Sequence, residues 1–279
     1  MKSSEYLNDA ETASSRPKYV DPDYSEASYF VWHKEKTGEE MDASFTTWYN
    51  TNSEKICNSE NSQGFFSKIK ESLREWGAQY SQKNGYDLLA RDDVKLETKS
   101  FESLKEKIYR KNFKKFQEEK SEGLATQTNL FEKINDTVRG LIVVKYLDAV
   151  DFLAIKISEL AKERGVTCEL VKEARGEGYF AIHLYYMVEY EVAGRDWNPI
   201  KVKCSIEVQI ATQLQDVIRK LTHKQYEINR LIFSKKAKDP WQWRYTEDEF
   251  FLNGLGHTIH YLEGMILEIR DNKCKGTTR

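Results

Sequence analysis

Proline and glycine are scarce in this 279-residue sequence, at 4 and 14 residues, which excludes collagen-like and low-complexity chains. The four cysteines (Cys57, Cys168, Cys204 and Cys274) are far apart and form no CxxC pair, which argues against a zinc site and a disulfide framework. No apolar run approaches the roughly 18 residues that a membrane-spanning helix needs. The opening segment, MKSSEYLNDAETASS, lacks the apolar stretch of a secretory signal. No charge sign dominates: the formal net charge is −2, which argues against nucleic-acid binding by the whole surface and leaves local patches open. These absences lead us to expect a soluble protein of a reducing compartment, cytoplasmic, with no membrane partner. Aromatic residues are plentiful, with 16 Tyr, 13 Phe and 6 Trp, enough to exclude whole-chain disorder and to furnish a substantial core.

Charge and pattern divide the chain. Residues 1–60 carry twelve acidic and six basic residues and nine aromatics without clear periodicity. Polar stretches such as NTNSEKICNSENSQG (50–64) read as loop. The expectation is an irregular extension over 1–62, packed on the core through its aromatics, followed by one domain over 63–279. Helical spacing of Phe65, Phe66, Ile69, Leu73 and Trp76 predicts a helix over 64–80, and a second spans about 100–120. LIVVKY (141–146) reads as a buried strand. A helix over 148–164 presents Val150, Leu153, Ile157 and Leu160 on one face and stops at Gly165. Two long strands, 180–192 and 201–211, flank a turn with Gly194, Asn198 and Pro199 and predict a hairpin. In the second strand Val202, Cys204, Ile206, Val208 and Ile210 point one way and Lys203, Ser205, Glu207 and Gln209 the other. Helices over 212–233 and 247–270 close the chain, and Phe251, Leu255, Ile259, Leu262 and Ile266 predict that the last packs by an apolar face. The fold class is α+β, a small mixed, mostly antiparallel sheet flanked by helices.

Two features carry chemistry. At 100° per residue, Lys99, Ser103, Lys107 and Arg110 fall within a sector of about 80°, apart from the core-facing Phe101, Leu104 and Ile108. Three cations and a hydroxyl in one stripe suit a polyanion, since each cation can meet a different phosphate oxygen. A solvated basic face has the same appearance. The second feature is a pair of carboxylates, Asp136 just ahead of a strand and Glu207 on a polar strand face. Carboxylates meeting across a sheet hold Mg²⁺ together with substrate phosphates. An ordinary polar sheet face is the alternative. Arg139 is placed to serve either Asp136 or a phosphate.

The strings TKSFESLKEKIYRK (98–111), NDTVRGLIVVKYLDAVD (135–151), RGEGYFAIH (175–183), IEVQIAT (206–212) and LQDVIRKLTHKQYE (214–227) occur in this order. Together they resemble the successive motifs of the RelA/SpoT synthetase domain, which includes the small alarmone synthetases, over roughly 95–230. The resemblance implies a nucleotidyltransferase-like synthetase domain that moves the β,γ-pyrophosphate of ATP onto a ribose 3′-hydroxyl of GDP or GTP, giving (p)ppGpp. It implies that Lys99, Ser103 and Lys107, with Arg110 and Arg139 beside them, hold the ATP phosphates. Asp136 and Glu207 would bind Mg²⁺, Glu207 would also help deprotonate the acceptor, and Gln209 completes E-x-Q. Arg175, Tyr179, His183, His223 and Lys224 would bind the acceptor, with the Tyr179 ring on its base.

Some positions depart from the family pattern: Glu97, Leu141 and Ala211 stand where arginines are common, and Glu177 where asparagine is. These bear on base recognition on both the donor and the acceptor side. No HD-type hydrolase motif occurs, so the resemblance implies synthesis without hydrolysis. Toxic relatives of this kind pyrophosphorylate the tRNA 3′ end or adenine nucleotides, which makes a neutralising antitoxin or regulatory protein an expected partner. The basic 99–120 segment and the lysines of SKKAK (234–238) suit a polyanion such as tRNA. A non-catalytic nucleotide- or RNA-binding module is the remaining alternative. The resemblance also allows a homo-oligomer. His257, His260 and Glu263 have a spacing open to a metal, and DPWQWRY (239–245) to base stacking, but core packing accounts for both.

Overall fold

A computed structural model describes residues 26–276 apart from 119, 121, 177, 195–197 and 231–240; at 26–27, 114, 117, 222–230 and 273–276 it describes the backbone only. The elements in chain order are α1 (Glu26–Thr37), α2 (Ala43–Asn58), α3 (Glu60–Asn84), β1 (Leu96–Thr98), α4 (Phe101–Gln117), α5 (Leu130–Lys133), β2 (Val138–Val144), α6 (Leu147–Glu163), β3 (Cys168–Ala174), β4 (Phe180–Ala193), β5 (Pro199–Thr212), α7 (Gln213–Arg230), a 3₁₀ turn (Trp241–Trp243) and α8 (Asp248–Gly276).

The α+β expectation holds. One five-stranded sheet has the order β1-β2-β5-β4-β3, and only β2 and β5 run parallel. The predicted hairpin is β4–β5, in which Tyr185 faces Glu207 and His183 faces Gln209. The alternation in β5 sorts as read: Cys204, Ile206, Val208 and Ile210 lie fully buried in the main core. On its other face a polar row crosses the sheet through Glu97, Arg139, Glu207 and Tyr185. α3 and α6 cover the apolar face, with Phe66, Ile69, Leu153 and Ile157 buried. Gly140 in β2 belongs to this packing, since a Cβ there would stand 2.9 Å from the Phe66 ring.

Three expectations need correction. The described part of 1–62 is helical, and the 62/63 boundary falls inside α3. The 50–64 stretch is the end of α2 and the start of α3, with Asp42 capping Phe45 N (2.9 Å) and Ser59 capping Ser62 N (3.2 Å). α2 places Trp48 and Tyr49 in the main core, while α1 joins α4 in a second cluster where the Tyr29 and Tyr109 rings are 4.1 Å apart. Residues 1–25 lie outside the described residues. The third correction concerns α8: Phe251, Leu255 and Leu262 are exposed, and its buried residues are Asn253, Gly256, Glu263 and Arg270. Burial of Arg270 is tolerated because it is paired, forming a fork with Asp148 (2.9 and 3.1 Å) beside the Tyr80 hydroxyl. No described helix is long and apolar enough to cross a membrane.

Candidate active site

Lys99 precedes α4 rather than lying on it, in the short link from β1. The Tyr49 hydroxyl donates to its carbonyl (2.7 Å), which fixes this link from below. Lys107 comes from the second turn of α4, and the two lysines converge on Asp136: Lys99 Nζ is 3.0 Å from Oδ2 and Lys107 Nζ 2.8 Å from Oδ1. Burial pushes the Asp136 carboxyl up, but the two ammonium groups win and hold it at about 2. Burial in turn pushes Lys99 down. Ser103 bonds Ser100 (3.0 Å), and Arg110 is exposed and pairs with Glu106 (3.3 Å), so neither is drawn into this cluster.

Glu207 is 3% exposed at the centre of the sheet and accepts from three donors. His183 Nδ1 (2.9 Å) and the Tyr185 hydroxyl (2.9 Å) meet Oε1, and Gln209 Nε2 (2.7 Å) meets Oε2. A carboxylate oxygen only accepts, so Nδ1 carries a proton, and Nε2 stands 3.2 Å from the Tyr179 hydroxyl. Burial pushes Glu207 up, yet the bonds from His183 and Gln209 leave it below the usual carboxylate range. Arg175 stands over the Tyr179 ring (5.5 Å) and pairs with Glu173 (2.9 Å). Arg139 lies beside Glu207 in the β2–β5 register. The side chains of His223 and Lys224 lie outside the described residues, as do Glu177 and the lysines of 234–238.

Sequence reasoning missed Tyr185. Counting the hairpin back from the 194–198 connection would have set it opposite Glu207. It also missed Arg91, Lys95, Arg219 and Lys220, which with Arg139, Leu141 and Gln209 line a cleft of about 300 Å³. Buried Asp216 gathers three of these cations, Arg219 (2.8 Å), Lys220 (2.7 Å) and Arg91 (3.4 Å). Their positions along the chain, from 91 to 220, give no local signal.

The donor chemistry fits Mg²⁺. Asp136 and Glu207 offer hard oxygens within electrostatic reach of each other. Asp136 Oδ1 is buried without an aligned hydrogen bond, its contact with Lys107 being an ion pair only. Among the described residues no three His, Cys, Asp or Glu side chains form a metal cluster. A cation here would therefore draw most of its ligands from substrate phosphates and water.

No protein-family model and no curated protein matches the chain. Among solved structures it is similar to small alarmone synthetase 1 from Bacillus subtilis bound to its product pppGpp, with 16% identity over 82% of this chain and 96% of that one, at a TM-score of 0.47. Small alarmone synthetase 2 from the same organism is 19% identical over 77% and 100%, at 0.43. A GTP pyrophosphokinase family protein from Streptococcus pneumoniae is 18% identical over 84% and 94%, at 0.46. With likeness this distant, the functional reading rests on the residues of the site itself.

Proposed function

We propose that this protein is an ATP-dependent pyrophosphokinase that transfers the β,γ-pyrophosphate of ATP to the ribose 3′-hydroxyl of GDP or GTP. One observation carries the reading: half-buried Asp136, just ahead of β2, is held between two lysines, and buried Glu207 in β5 stands at the end of a Tyr179–His183 chain. That arrangement divides a polyphosphate side from an acceptor side, as the ordered motifs imply. Lys99 and Lys107, with Ser103, Arg110 and Arg139 at the rim, would meet the phosphates of ATP. Tyr179, Arg175 and His183, with His223 and Lys224, would hold the acceptor. Asp136 and Glu207 are the residues that would hold Mg²⁺, whose charge would offset that of the polyphosphate. The acceptor oxygen bonds to the β-phosphorus, the bond from that phosphorus to the α–β bridging oxygen breaks, and AMP leaves with the electron pair. The acceptor proton goes to Glu207, which its environment keeps ionised at neutral pH. The arginines absent from positions 97 and 141 have counterparts in space, since both positions line the cleft that holds Arg91, Arg139 and Arg219.

The test is γ-labelled ATP with Mg²⁺ and, separately, GDP, GTP, ADP, ATP and bulk tRNA, with Glu207→Gln alongside. Label on a guanine nucleotide, reduced about 10²–10⁴-fold by Glu207→Gln, is the expected result. Label on tRNA or an adenine nucleotide would reassign the acceptor to that of the toxic relatives. Transfer that survives Glu207→Gln would remove Glu207 from the mechanism. With no transfer at all, a binding module without catalysis would be left.

A further inference from the structure

The segment carrying Arg175 and Tyr179 is clamped from outside the sheet by α8. Within it, Gly178 N donates to the Arg175 carbonyl (2.9 Å) and Arg175 N to the Tyr179 carbonyl (3.0 Å), closing a tight turn. Gly178 has φ +80°, and its backbone lies directly on α8: a Cβ there would stand 2.7 Å from both Asn253 O and His257 N. The contact is mutual, because a Cβ on Gly256 would stand 2.6 Å from Gly178 O. Beside it, the Gly176 carbonyl receives two donors, His257 Nε2 (3.0 Å) and Trp241 Nε1 (3.1 Å), whose rings stack 11° from parallel. A carbonyl only accepts, so His257 holds its proton on Nε2. On the far side of the turn, Phe180 stacks on His260 with centroids 3.6 Å apart and an interplanar angle of 6°.

We infer that α8 is a positioning element for the acceptor side of the site: the Gly178–Gly256 contact and the two donors on Gly176 set where Arg175 and Tyr179 stand. Gly256, His257 and Trp241 are positioning residues that act through the turn and touch no substrate. From Tyr179 the setting passes to His183 Nε2 and thence to Glu207. This rests on the reading of Tyr179 as an acceptor ligand, although the clamp can be measured without it.

Gly256→Ala in the full chain forces the turn away from α8. Gly254→Ala, in the same helix with nothing within 4 Å of its Cβ, is the control. The expected result is that Gly256→Ala raises KM for the acceptor about tenfold or more and leaves KM for ATP unchanged. Amide hydrogen exchange over 174–183 quickens in Gly256→Ala and stays at the wild-type rate in Gly254→Ala. Should Gly256→Ala fail to fold, Trp241→Phe with His257→Leu removes both donors from Gly176 and serves the same comparison. Wild-type exchange over 174–183 in these variants overturns the inference. So does an equal rise in both KM values. If the wild-type protein labels no acceptor, the reaction reading fails, and the exchange comparison still decides whether α8 holds the turn.

Discussion

α6 and α8 lie in the same domain and solve opposite packing problems. α6 buries Ala149, Val150, Leu153, Ala154, Ile157, Leu160 and Ala161, the apolar stripe its periodicity displays. α8 turns Asn253, Gly256, Glu263 and Arg270 inward and leaves Phe251, Leu255, Leu262, Met265 and Ile269 facing out, between 41% and 62% exposed. A helix docks by its apolar face when area removed from water is the only term. α8 docks by groups that make specific bonds: glycine against backbone, imidazole on a carbonyl, Arg270 on Asp148. The difference separates a helix that builds the core from one that positions another segment.

Substituting the anchor of α8 tests that contrast most severely. Asp148 is the carboxylate to remove, because Arg270 is only 6% exposed and would be stranded, whereas Asp148 is a third exposed and can rehydrate. Losing one partner of a buried pair costs about 3–5 kcal/mol. Asp271, 3.0 Å from the guanidinium, retains part of the compensation. Asp148→Ala should therefore destabilise by about 3 kcal/mol in urea unfolding, the low end of that range. A loss below about 0.5 kcal/mol, the size of an ordinary surface change, would show that α8 is held by other contacts.

Much of the fold was legible in the sequence because most of its elements bury what their periodicity displays. The alternation in β5 put Glu207 and Gln209 on the polar face, and the 194–198 turn announced the hairpin. β3 was missed because, along an edge strand that is mostly exposed, CELVKEA shows no burial rhythm. α2 was missed because it buries Asn52 and Ser53 among its aromatics, which blurs the apolar pattern. The candidate site was legible as motifs and partners but not as geometry. That Lys99 and Lys107 would grip one carboxylate depends on the path of the chain between β1 and α4. Periodicity locates a stripe on α8 but cannot say which side the rest of the chain occupies.

A smaller effect concerns Glu263, which lies on the inward face of α8 and hydrogen-bonds the Thr212 hydroxyl. Burial raises its pKa above the ordinary 4.5, against the opposing effect of hydrogen bonds from Thr212 and Gln215. A carboxyl raised in the folded state contributes stability that is full below its unfolded pKa and lost as pH rises through its folded one. At neutral pH the ionised form is a cost, so Glu263→Gln should stabilise by about 1 kcal/mol at pH 7, with the gain fading as pH falls through the raised folded pKa and absent below 4.5. A loss at pH 7 would mean that the hydrogen bond from the Thr212 hydroxyl to the ionised carboxylate outweighs the cost of burying it.

The smallest effect is expected from the outward face. Leu262 and Met265 are 47% and 60% exposed, so replacing both with serine removes little buried area from the folded chain. The unfolding free energy of Leu262→Ser with Met265→Ser should stay within about 0.5 kcal/mol of wild type in dilute solution. The same double change on α6 would open the core, which is why the pair isolates the difference between the two helices. Repeating the melt over a range of protein concentrations sharpens it. A wild-type melting temperature that climbs with concentration, and a double variant that does not, would mean that a second molecule covers the stripe. The apolar face of α8 would then be a core face after all, completed by another chain, and its inversion within the monomer would have a thermodynamic reason. Equal and flat melts would leave α8 as a helix whose docking depends on its polar side alone.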